Sequence, residues 1–61
     1  MTFEYYVAID KTGHAGVAAT KRDSVEQEVA DHGGRLVAVQ AAHAYEARRL
    51  AERTRQDDLL H

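Results

Sequence analysis

Apolar, aromatic and small residues gather in three short runs, at residues 5–9, 16–20 and 36–40, and in each run both the odd and the even positions are apolar or small. A strand with one solvated face alternates apolar and polar residues; these three do not, so each reads as a strand covered on both sides. Residues 2–9 form the first strand, rich in the aromatic and β-branched side chains that fit a pleated surface. Asp10-Lys11-Thr12-Gly13 supplies a turn, with a carboxylate able to bind amides ahead of it and a glycine able to take positive φ. Residues 16–21 then return as the second strand of a hairpin.

Asp23 or Ser24 is expected to cap a helix, because Glu26 and Gln27 follow each at the spacing of a capping box. That helix extends to about His32 on a thin stripe of Val25, Val29 and Ala30, and Gly33-Gly34 stops it. Residues 35–40 make the third strand. From about Ala41 the period changes to that of a helix, with His43, Ala44, Ala47, Leu50, Ala51 and Thr54 on one side. Asp58 would fall on that same side, so the packed helix is expected to end near Arg55 and to leave residues 56–61 frayed or recruited by another chain.

The expected fold is therefore α+β: a single small domain over residues 1–61 with element order β-β-α-β-α and a three-stranded sheet in the order 2-1-3. Both helices are expected on one face of that sheet. Alternation puts Phe3, Tyr5, Val7 and Ile9 on one side of the first strand, and Tyr6 and Ala8 on the other. The second strand adds Val17 and Ala19 to the bulky side and Ala18 to the small side; the third adds Val37 and Val39 to the bulky side and Leu36 and Ala38 to the small side. Two helices suffice to cover the bulky side, which leaves Tyr6, Ala8, Ala18, Leu36 and Ala38 as an open face suited to a partner. Exchanging the two faces would open the bulky side instead.

Size sharpens that expectation. A chain of 61 residues buries about 60% of the surface its unfolded form exposes and needs further support. There is no cysteine to provide a disulfide or a thiolate zinc site, so oligomerisation is the favoured remedy. The first four residues lack the basic and apolar regions of a signal peptide and no apolar run approaches a membrane span, which points to a cytoplasmic protein with no membrane partner.

Chemistry is sparse. Ser24 is the single serine, and capping accounts for it; Gly13-His14-Ala15-Gly16 lacks the glycine spacing and the following helix of a nucleotide loop. His14, His32, His43 and His61 show no ligand spacing, so neither a metal nor a cofactor is expected. His43 stands out as a side chain close to the apolar stripe, where an interface could bury it.

The second helix carries Arg48, Arg49, Arg53 and Arg55, a possible nucleic-acid surface. Glu46 and Glu52 stand three or four positions from most of them and are expected to pair with them, and the net charge of −2 offers no long-range attraction to phosphate. The leading expectation is thus a non-enzymatic protein-binding or regulatory module, an inhibitor of a larger target being one form of it. It would act as a homodimer through the open sheet face or the region of Leu50, Leu59 and Leu60. A nucleic-acid-binding regulator using the arginines is the alternative.

Overall fold

The structure is a computed structural model that describes the backbone of residues 1–60 and the side-chain surroundings of residues 1–53. Its elements are β1 (Phe3–Ile9), β2 (Ala15–Ala19), α1 (Arg22–His32), β3 (Arg35–Ala41) and α2 (Ala44–Leu60). β1 lies at the centre of the sheet and is antiparallel to both β2 and β3, in the order β2-β1-β3. The expected class, element order and strand order are all present.

The hairpin turn is built on Asp10. Its Oδ1 accepts the amides of Thr12 and His14, both at 2.9 Å, and the Thr12 hydroxyl at 2.6 Å. These donors, the Thr12 hydroxyl first and the His14 amide second, hold the Asp10 carboxyl below its ordinary pKa, because each favours the charged form. Gly13 takes φ 96° in the same turn.

Beyond the turn the hairpin register slips. Ile9 faces Ala15, whereas Val7 faces Ala18 and Tyr6 faces Ala19. Two steps along β1 therefore match three along β2, and Gly16 and Val17 together oppose Ala8 in a β-bulge. Without the extra residue Val17 would oppose Val7 and Ala18 would oppose Tyr6, as the sequence pattern suggests. The bulge reverses this: Ala18 joins the side of Val7, and Val17 turns to the side of Ala8.

The helices lie on opposite faces of the sheet, which corrects the expectation that both share one. Among the described residues they make no close approach to each other, yet each packs against all three strands. The face of Val7 and Ile9 carries α2, whose Ala47 and Ala51 complete a buried cluster with Ala41. The other face carries α1: Arg22 stands 5.9 Å from the centre of the Tyr6 ring, and the fully buried Val25 lies outside the α2 cluster. Complementary volumes explain the arrangement, since alanines of α2 meet the bulky strand positions while the valine of α1 meets the alanine side.

The boundaries of α1 also differ from expectation at its start. It begins at Arg22 after an extended Lys21 and has no side-chain cap, so Asp23 and Ser24 lie inside the first turn. Two residues separate β2 from α1, and the chain must swing at once from the sheet onto its face. At the other end Gly33 takes φ 80° and donates its amide to Val29 O at 2.8 Å, the stop that Gly33-Gly34 predicts. α2 continues to Leu60, past the end expected near Arg55, with no glycine or proline to break it. The roles expected of Leu59, Leu60 and Arg55 concern side chains outside the described residues.

Gly34 allows the most direct test of this packing. Its φ is 104°, and a Cβ there would stand 2.1 Å from Ile9 O. Gly34→Ala should lose about 1–3 kcal/mol from backbone conformation, with the clash added to it. Gly16→Ala, where a Cβ meets its nearest atom at 3.8 Å, should be far milder; urea midpoints of the two variants check the ranking. The Asp10 turn predicts a pH dependence. Because its pKa is lowered on folding, Asp10 contributes stability above its unfolded value, near 3.8, and loses it as pH falls through the lower folded value. The stability gap between the wild type and Asp10→Ala should therefore be widest above about pH 5 and should narrow in stronger acid.

Candidate interaction surfaces

The face expected to be open is largely covered. Ala8 is 8% exposed, Tyr6 and Leu36 are half-buried, and of the five residues assigned to that face Ala38 alone is exposed. Ala18 belongs to the opposite side because of the bulge. Tyr6 is further held by its hydroxyl, which donates to Glu4 Oε1. That bond, followed by partial burial and the Glu4 charge, raises the Tyr6 pKa above its ordinary value, and Arg22 opposes the rise. The sequence lacked the information to expose this error, since α1 carries too few apolar residues to declare which face it covers.

What remains open is an edge. Among the described residues no further strand lies beyond β3, and no backbone group of β3 bonds to a turn, loop or side chain on its outer side. Edge strands usually carry a bulge, a proline or a central charge that discourages pairing. β3 runs for seven residues in unbroken register with β1, and its one charge is Arg35 at the end. Val37 and Val39 are half-buried there and Ala38 is exposed. β2 presents the opposite case: it is five residues long and bulged, and its Ala15 amide donates to Glu52 Oε1 of α2 at 3.0 Å.

The outer side of α2 is a second surface. His43, Tyr45, Glu46, Arg49, Leu50 and Arg53 border a shallow groove of 330 Å³. Leu50 is half-buried against the core, as its place on the apolar stripe suggests, whereas Arg48, Arg49 and Arg53 are exposed. The expected pairing of these arginines with Glu46 and Glu52 is absent among the described residues. Both acids are engaged elsewhere. Glu46 accepts the Ala42 amide at 3.0 Å, and Glu52 accepts that of Ala15.

His43 is exposed and takes a role that sequence reasoning missed. Its Nδ1 accepts the Glu46 amide at 3.3 Å, so histidine caps the helix in place of serine or threonine, while the Glu46 carboxylate reaches back past the cap to the Ala42 amide, one residue beyond the partner of a capping box. A Glu three residues after a polar residue at the helix start is the signal that could have found it. Among the described residues no group of three or more His, Asp or Glu side chains is placed to hold a metal ion, and no helix is long and apolar enough to cross a membrane.

Comparison with protein-family models, with curated proteins and with solved structures finds no match for this chain.

The link from Glu52 to Ala15 is the testable element of this arrangement, since it joins residues 37 positions apart. Glu52→Ala should cost about 1 kcal/mol through the lost acceptor. Hydrogen exchange should show the Ala15 amide losing protection more than the centre of β1.

Proposed function

We propose that this chain is a non-enzymatic interaction module that works as a homodimer joined through the outer edge of β3. The reading is carried by the long, regular and unguarded edge that β3 presents. An antiparallel partner strand would satisfy its outward amides and carbonyls, and strand addition of this kind is a common mode of recognition. The surface differs from the sheet face first expected, which α1 covers.

The strand suits a second copy of itself. Pairing centred on Ala38 sets Val37 opposite the other copy's Val39, Leu36 opposite Gln40 and Arg35 opposite Ala41. The two Arg35 side chains then lie at opposite ends, about 20 Å apart along the strand direction, so no like charges meet. Joining the sheets also covers the half-exposed valines and enlarges a small core. A chain without cysteine suits the reducing cytoplasm, where a regulatory or inhibitory role would use this assembly.

Charges placed on the symmetry axis test the proposal. Ala38→Lys and Ala38→Glu should each be monomeric in sedimentation runs that show the wild type as a dimer, with unchanged helical circular dichroism. Mixed in equal amounts, the two variants should restore the dimer, because opposite charges then face each other. A wild type that remains monomeric at millimolar concentration would overturn self-association; a dimer indifferent to both substitutions would overturn the β3 edge as its site.

A further inference from the structure

We infer that the outer side of α2 binds single-stranded nucleic acid, with Tyr45 as a stacking platform and Arg49 and Arg53 as phosphate contacts. The inference is independent of self-association, because each copy carries the whole surface.

The first observation is the state of the charges. A solvated helix normally spends its arginines on neighbouring carboxylates at i+3 or i+4. Here Glu46 is drawn back to the helix start by the Ala42 amide, and Glu52 is drawn across to the Ala15 amide. Arg49, which stands three residues from each of these acids, is left exposed on the groove with no carboxylate partner among the described residues. Arg53 is exposed beside it, and its helix neighbour at i+4, Asp57, lies outside the residues whose side chains are described. The groove therefore offers two guanidinium groups, each able to bind phosphate in bidentate fashion.

The second observation is an exposed aromatic ring. Tyr45 is 63% exposed, more than any other aromatic residue in the chain, and borders the same groove. Arg49 stands 6.0 Å from its ring centre. The side chains at 45, 49 and 53 are spaced by four residues and form one stripe along the helix. A ring beside a cation in an open groove is the arrangement on which an unstacked base is held by its face while the adjoining phosphate meets the charge.

The ring selects the occupant. Two exposed arginines alone would serve an acidic peptide or a duplex equally well. The carboxylates of an acidic peptide bring no ring to stack on the aromatic face, and a duplex keeps its bases stacked away from it. A single strand uses both features. The net charge of −2 confines the attraction to this local surface, so binding should be weak at physiological salt and strongly salt-dependent.

The test is fluorescence anisotropy of the full chain with a labelled twelve-nucleotide single strand of mixed sequence, a duplex of the same sequence and an oligoglutamate of equal charge. The single strand should bind best at low salt and lose about tenfold in affinity between 50 and 200 mM salt, as expected for two to three phosphate contacts. Arg49→Ala combined with Arg53→Ala should abolish measurable binding. Tyr45→Ala should weaken the single strand several-fold, and Tyr45→Phe should restore it. These side chains are exposed, and unchanged circular dichroism would show that the variants fold. Absence of single-strand binding at low salt, equal or tighter binding of the duplex or oligoglutamate, or indifference to Tyr45→Ala would each overturn the proposal.

Discussion

Everything in this fold leans on β1. It is hydrogen-bonded along both edges and covered on both faces, and its Val7-Ala8-Ile9 segment is buried throughout. Such a strand needs apolar side chains of both parities, and Val-Ala-Ile supplies them with unequal sizes. The inequality propagates outward. Large residues on one face call for a helix of small ones, and Ala47 and Ala51 answer; the alanine on the other face admits Val25. A sheet of three strands is thus sandwiched with very few core residues, four of the seven buried hydrophobic residues among those described being alanines. Alanine contributes little apolar area, so the interior holds together through close fit more than through bulk.

Local chemistry in the chain announces its elements clearly and their mutual placement less so. The Asp10 turn and the Gly33 stop are short-range devices whose partners lie within four residues, and both stand where the sequence puts them. The phase of β2 was not legible, because a single extra residue at Gly16 and Val17 reverses every later side chain. Nor was the side taken by α1, since a stripe of two valines fits either face. The fate of Glu46 and Glu52 needed backbone geometry as well: helix spacing places them beside arginines, but the amides of Ala42 and Ala15 are better acceptor-starved partners than flexible, hydrated guanidinium groups.

The two edges of the sheet show opposite treatments of one problem. β2 is shortened, bulged and tied by Glu52 to the helix above it, whereas β3 keeps a straight register and unpaired outer backbone. The first arrangement ends a sheet. The second leaves it open to continuation, and the candidate surfaces identified above both follow from where the carboxylates and bulges were spent.

Placing the helices on opposite faces also separates charge. From Arg22 to His32, α1 holds Asp23, Glu26, Glu28 and Asp31 against one arginine, a formal charge of −3 with histidine neutral. From Ala44 to Leu60, α2 sets Arg48, Arg49, Arg53 and Arg55 against Glu46, Glu52, Asp57 and Asp58, a formal charge of zero, so the excess negative charge lies on the α1 side. The sheet stands between the two, so the molecule has an electric moment across its thin layers that its small net charge conceals. A charged surface then exerts a torque on it before any contact forms, and orientation precedes docking.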